Sequence, residues 1–326
     1  MSDVNSSIGS FLRESGIPYE ENVSLSGKTW IRRGGLAHFY VVPDTVAQLE
    51  DLCRFLFGER VEFVVVGHTS NMYFVNDCDV DVVISTLHLS QIVEEDASLV
   101  CDCGVNVTAL SRRMVEAGIA GFEGLVGLPG TIGGAVVNNS SAFGYSINKL
   151  ATEIICLNDS GTVVNLSVDD LSLSERSSAI KEKLKKLVVL KVRLRKEKSS
   201  DASLSEKASC FVKKRAELQK EKKMNLGSCY KMLRGGLLLK ALLTVRFVSR
   251  LCIRVFCPKS VQKKMYERKL FYWLAGYPQL YYYVDPFQPN CFVWRDEAAD
   301  DVFFNQYQPF MKRFYRAKDL EIEIIK

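Results

Sequence analysis

The alternation of apolar and polar positions predicts a mixed order of strands and helices over the first two thirds of the chain. AHFYVVP (37–43) reads as a strand closed by Pro43. From Asp44 an amphipathic stretch follows, with Val46, Leu49, Leu52, Cys53 and Leu56 on one side and Gly58 as its stop, which predicts a helix. VEFVVV (61–66), DVVIST (81–86) and SLVCDCG (98–104) predict three more short strands. In NVTALSRRMVEAG (106–118), Asn106 is placed to cap a helix and Gly118 to end it. EIICL, NDSG and TVVNL (153–166) predict a hairpin, and LVVLKVRL (187–194) one further strand.

Beyond residue 195 the pattern changes. KEKSSDASLSEK (196–207) is polar and serine-rich, and it predicts a boundary between a domain of residues 1–200 and one of 201–326. SEKASCFVKKRAELQKEKK predicts a helix, Asp300 to Phe314 a second one, and DLEIEIIK a closing strand with Ile322 and Ile324 on one face and Glu321 and Glu323 on the other. In RGGLLLKALLTVRFVSRLCIRVFCPK (234–259), arginines 246, 250 and 254 recur at intervals of four, so a helix would carry them on one face. Its apolar runs are too short to span a bilayer. The segment therefore predicts a basic amphipathic insertion, either packed on the second domain or lying on an anionic membrane surface.

At 326 residues, 47% apolar and 25% charged, the chain has the composition of about two globular domains and not of a disordered or multi-span protein. Ten cysteines without a CxxC pair, and only three histidines, give no zinc-ligand spacing, so no metal is expected. The N-terminus lacks a signal-peptide core, and a cytoplasmic protein with reduced thiols is expected. Charge is uneven: residues 181–269 hold 27 lysines and arginines against 7 aspartates and glutamates, in a chain of net +5. Such a basic middle suits an anionic partner. No helix-turn-helix, RNA-recognition or zinc-finger pattern is present, so nucleic acid is not expected.

Two turns carry most of the chemistry. After a strand come Gly67, His68, Thr69, Ser70 and Asn71; later, GLVGLPGTIGGAVVNN places Gly127, Pro129, Gly130, Thr131, Gly133 and Gly134 among small residues. Phosphate oxygens need several main-chain N–H donors at close range, and glycine allows that approach. Ser70 and Thr131 add hydroxyls, and Asn71 and Asn139 can hold the loops by side-chain bonds. Neither turn is a Rossmann or P-loop motif, so a dinucleotide held here would sit in another fold, the alternative being plain tight turns.

These segments together resemble a known family. GHTSN after a strand, then GLVGLPGTIGGAVVNNSSAFG, is similar to UDP-N-acetylenolpyruvoylglucosamine reductases, and ERSSAIK (175–181), RAELQKEKKMNLGSCYKML from Arg215, QPNCFVW and LEIEIIK follow in the family's order. The resemblance implies an α+β chain: a two-subdomain FAD-binding fold of the vanillyl-alcohol-oxidase/p-cresol-methylhydroxylase (PCMH) type plus a C-terminal α+β substrate domain. It implies FAD held by Gly67, His68, Thr69, Ser70 and Asn71, by Gly127, Pro129, Gly130, Thr131, Gly133 and Gly134, and by Asn139, Ala142 and Gly144. NADPH would be the reductant, a nucleotide-sugar the substrate and the protein a monomer. Ser228 would donate a proton, Arg176 and Glu323 would stabilise the enol, and Arg215, Lys231 and Gln288 would bind substrate. His68 is the only histidine near either loop, so non-covalent FAD is expected. The sequence departs from the family at His68-Thr69 (glycines), Ser141 (glycine), Glu175 and Ile180 (aromatics), Met232-Leu233 (Asn-Pro) and Gln288 (histidine). These departures leave two alternatives: a flavoenzyme of this fold acting on another sugar in surface polysaccharide synthesis, or a flavin-bearing partner protein without chemistry.

Overall fold

A computed structural model describes residues 2–182, 186–218, 224–231, 233, 238–244, 264–285 and 288–326. Among them the strands are, in chain order, β1 (Tyr19–Ser24), β2 (Leu36–Val41), β3 (Phe63–Val66), β4 (Met72–Phe74), β5 (Asp79–Ser85), β6 (Ile92–Glu94), β7 (Ser98–Asp102), β8 (Ser141–Ala142), β9 (Tyr145–Ser146), β10 (Ala151–Asn158), β11 (Val163–Leu166), β12 (Leu187–Arg195) and β13 (Glu323–Ile325). The chain divides into two compact units: Met1–Ser70 with Asp77–Glu217 and Lys326, and Asn71–Asn76 with Leu218–Ile325.

Among the described residues, the first unit holds two larger sheets besides the two-stranded β8–β9 pair. One has the order β1-β2-β5-β3, antiparallel between β1 and β2 and parallel across β2, β5 and β3. The other, β11-β10-β12-β7-β6, is antiparallel throughout. The helix Val46–Gly58 buries Leu49, Leu52, Cys53 and Leu56, the apolar side its spacing predicts. Its cap lies one residue later than Asp44: the Thr45 hydroxyl accepts the Gln48 N–H at 3.2 Å, while the Asp44 carboxylate meets His88 Nδ1 at 2.7 Å. Asn106 caps the helix Val107–Glu116 by accepting from Ala109 N–H at 2.9 Å, and Gly118 follows its end at φ +74°. In the β10–β11 hairpin the Asn158 carboxamide oxygen accepts both Ser160 and Thr162 N–H, which fixes the turn.

The boundary expected at 200/201 falls later. The helix Leu204–Leu218 inserts Leu204 and Ala208 into the core of the first unit, and Phe211 stacks on Phe143 at 4.8 Å. A polar composition thus marked a link between elements, while aromatic packing decided which unit the helix joins.

The second unit pairs β13 parallel to β4, so a short early segment belongs with the C-terminal part of the chain. Tyr73, Trp294, Phe292, Phe303 and Tyr307 form its aromatic core. The helix expected over 300–314 runs Ala299–Val302 and Gln308–Tyr315, joined by one π-helical stretch, Phe303–Tyr307. Pro309 lacks the N–H a regular ladder needs, so the bonding register shifts before it. The closing strand is shorter than its alternation suggests: Ile322 is buried, Ile324 half-buried. Of the basic segment 234–259 only residues 238–244 are described, as helix; the three arginines at 246, 250 and 254, and Met232, lie outside the described residues.

Candidate functional site

The two glycine-rich turns meet. Gly67 follows β3 and lies against Thr131: an ideal Cβ on Gly67 would stand 2.4 Å from Thr131 Oγ1 and 2.8 Å from its Cγ2. Ser70 Oγ donates to the Pro129 carbonyl at 3.2 Å. Gly130 adopts φ +136° and Gly127 φ +87°, both unfavourable for a side chain. The second turn is pinned from below: Gly133 N–H donates to the Cys103 carbonyl at 2.8 Å and Ile132 N–H to Val105 O at 2.9 Å, while Val107 N–H donates to Gly130 O at 3.1 Å. Thr131 Oγ1 caps the helix Ile132–Val137 by accepting from Gly134 N–H.

Thr69 stands where glycine would be easier, at φ +51°. Left-handed backbone at a non-glycine residue costs about 1 kcal/mol or more. Its hydroxyl accepts the Trp30 N–H at 2.7 Å and is buried, so that bond holds the turn in place. Burial lowers the pKa of His68 below its ordinary 6.5. Among the described residues, the main-chain amides of Gly67, His68, Thr69, Ser70, Gly130 and Thr131 donate to no protein acceptor.

Behind the second turn Asn139, at φ +43°, donates to Ser174 O at 2.8 Å and its Oδ1 accepts from Asn148 at 3.1 Å. It holds the loop by side-chain bonds, as the sequence suggests. Ala142 and Gly144 lie in the β8–β9 hairpin, and the Ala142 carbonyl would stand 2.7 Å from a Cβ on Gly124. Arg215 lies beside Gly127, its Nε 3.6 Å from the place a Gly127 Cβ would take, with its guanidinium over the Phe143 ring at 5.4 Å. Its Nε and Nη2 are buried without a hydrogen-bond partner. Burial first, and then the charge of Arg176, lowers its pKa. Arg176 itself sits at φ +55° in a turn closed by reciprocal Ser174–Ser177 main-chain bonds.

In the second unit, Gly227 at φ +75° and an Asn225 side chain accepting the Gly227 N–H set up the turn that carries Ser228. Cys229 N–H donates to Asn290 O at 2.7 Å, and Glu321 N–H donates to Cys229 O at 2.8 Å. Lys231 N–H donates to Asp319 O, and Glu323 N–H to Asn71 O. The structure thus gathers Ser228, Lys231, Glu321 and Glu323 on adjoining segments of one unit, with the Asn71 side chain donating to Glu321 O at 3.0 Å. Gln288 N–H donates to the Asp285 carboxylate at 3.0 Å. Cys229, next to Ser228, is buried and its thiol is pushed up to about 12, so it stays protonated near neutrality. Trp30 and Asn138, which brace Thr69 and the helix Ile132–Val137, carry no sequence signal that would single them out.

A flavin dinucleotide fits these residues. Unpaired amides on two touching turns suit a diphosphate, and a half-buried guanidinium whose Nε and Nη2 lack a hydrogen-bond partner suits an anion. The mixed and antiparallel sheets, with these touching turns, make an α+β fold, and residues 37–167 match the family model described as "FAD binding domain". The chain is 30% identical over 223 residues to a UDP-N-acetylenolpyruvoylglucosamine reductase of Caldicellulosiruptor bescii, covering 68% of this chain and 70% of that protein. A protein of the same name from Staphylococcus aureus (strain COL) is 28% identical over 162 residues, 50% of this chain and 52% of that one. The crystal structure of the Thermus caldophilus UDP-N-acetylenolpyruvylglucosamine reductase shares the fold, with TM-score 0.68 and 18% identity over 95% of this chain and all of that one. The chain belongs to the UDP-N-acetylenolpyruvoylglucosamine reductase family, a family of enzymes.

Proposed function

We propose that the protein reduces the enolpyruvyl group of UDP-N-acetylglucosamine enolpyruvate, giving UDP-N-acetylmuramate for peptidoglycan synthesis. Bound FAD supplies the hydride, which NADPH provides. The first unit binds the flavin and the second the sugar nucleotide. The amides of Gly67, His68, Thr69, Ser70, Gly130 and Thr131 hold the flavin diphosphate. Arg176 pairs with the substrate carboxylate, where a guanidinium offers two parallel donors, and Arg215 takes a further anionic group. Ser228 gives a proton to the carbon beside the one that accepts hydride, in the positive field of Lys231. Glu323 stabilises the enol form, and Gln288 contacts the sugar nucleotide.

The observation that carries this reading is the meeting of the two glycine turns, with the amides of Gly67, His68, Thr69, Ser70, Gly130 and Thr131 unpaired among the described residues. The test is purification followed by an absorption spectrum and anaerobic NADPH titration. The expected result is a yellow protein that NADPH bleaches and the enolpyruvyl sugar reoxidises. Colourless protein that takes up no FAD sinks the reading. Bleaching without reoxidation redirects it to a different sugar.

A further inference from the structure

A lysine outside the substrate and flavin contacts joins the second glycine turn to Arg176. Lys181 Nζ donates to Asn138 Oδ1 at 2.7 Å and reaches the Arg176 carbonyl at 3.4 Å. Asn138 is itself bound to the flavin-turn helix, its Nδ2 donating to Gly134 O at 3.0 Å. Two more ties run beside this one. Ser178 Oγ donates to the Val137 carbonyl at 2.7 Å, and Asn139 Nδ2 donates to Ser174 O at 2.8 Å. Residues 174–181 are therefore stitched to residues 137–139 at three points.

The stitching matters because of what it holds. Arg176 is third of four residues in the turn closed by Ser174 and Ser177, at φ +55°, a place that favours glycine. A β-carbon there strains the backbone, and such strain persists only where neighbours over-determine it. Ser177 and Ser178 are buried and fix one side of the turn. The Arg176 carbonyl, on the other side, receives the Lys181 ammonium. The long lysine stem brings one charged donor to two oxygens on different segments, which a neutral side chain of that length does not do.

We infer that Lys181 is a positioning residue: its ammonium clamps the Arg176 turn to the end of the helix that follows the second glycine turn, so that the guanidinium is held ready for an anionic substrate group. Resting on the proposed reductase reading for its catalytic consequence, the clamp itself is made by the chain's own residues.

The experiment has one readout without flavin and one with it. Limited trypsin digestion, followed by mass spectrometry, measures cleavage after Arg176 in the flavin-free protein. Lys181→Met is expected to quicken that cleavage about tenfold, because the strained turn opens. Asn138→Ala, which removes the other end of the bridge, is expected to quicken it as well. Lys181→Arg, which keeps a charged donor, restores most of the protection. In the FAD-loaded enzyme, Lys181→Met is expected to leave flavin reduction by NADPH near the parent rate. It slows reoxidation by the enolpyruvyl sugar about tenfold or more, and adding Arg176→Ala to it costs less than Arg176→Ala costs alone. If Lys181→Met does not fold, the Asn138→Ala and Lys181→Arg digests decide. Unchanged cleavage after Arg176 in Lys181→Met or, failing that, in Asn138→Ala overturns the clamp, whatever substrate the enzyme takes. Quickened cleavage in a protein that never turns over the enolpyruvyl sugar keeps the clamp and sinks only the reductase reading.

Discussion

Thr131 Oγ1 occupies the space in which a side chain on Gly67 would begin, 2.4 Å from an ideal Cβ. The same oxygen accepts the Gly134 N–H, so it is held by its role as a helix cap and cannot swing away without losing that bond. The two turns can touch only because one of them presents no β-carbon.

Gly67→Ala is therefore expected to push the turns apart. Flavin affinity should fall at least tenfold, and stability by about 1–3 kcal/mol, the usual cost of overpacking. Flavin fluorescence quenching and denaturant unfolding measure the two. Unchanged affinity would mean that the contact between the turns is not what shapes the site.

Arg215→Met separates binding from stability. It removes a half-buried guanidinium whose Nε and Nη2 have no partner and which lies near a second arginine. The flavin-free protein should melt no lower than the parent, because no hydrogen bond is lost. Binding of the anionic ligand should weaken about tenfold or more, the worth of a charge-assisted bond. A lower melting temperature with unchanged affinity would assign Arg215 to packing on Phe143 instead.

The pKa of His68 is lowered by burial, so on acidification the unfolded chain takes its proton first. Its contribution to stability is whole above the ordinary value of 6.5 and is lost as pH falls through that value toward the folded one. A bound diphosphate favours the imidazolium and draws the folded value back up. FAD binding is expected to take up a proton below pH 7 and to tighten as pH drops to about 5.5, by up to tenfold per unit of restored pKa. Calorimetry in buffers of different ionisation enthalpy measures the uptake, and His68→Gln should abolish it.

Gly104→Ala tests the backbone that supports the second turn. A Cβ there would lie 1.7 Å from Thr86 O and 2.6 Å from Leu89 O, both main-chain atoms with no freedom to rotate away. A loss of about 3 kcal/mol or more is expected from chemical unfolding, since the clash is with backbone and not with a flexible side chain.

Thiol labelling at pH 7.5 should reach Cys210, which is exposed, well before Cys101, Cys103 and Cys229, whose thiols burial pushes up to about 12. Fast labelling of Cys229 in native protein would show that the Ser228 segment opens in solution.

Local chemistry makes much of this protein legible in its sequence. The Asn106 cap, the Asn158 turn and the apolar side of Val46–Gly58 depend on residues within about four positions of one another, where side chain and backbone settle the matter together. The glycines of the two turns and the resemblance built on them were readable for the same reason. What the sequence left open is contact between distant segments: the Trp30 N–H on Thr69, 39 residues away, the Lys181 ammonium on Asn138, 43 away, and the pairing of β4 with β13. Composition placed the domain boundary at a polar link, yet the helix after it joins the first unit because Phe211 finds Phe143. Such contacts form when sheets and helices pack and bring together residues that share no neighbourhood along the chain. Their identity follows from the buried shape of the whole unit, which no window of residues contains.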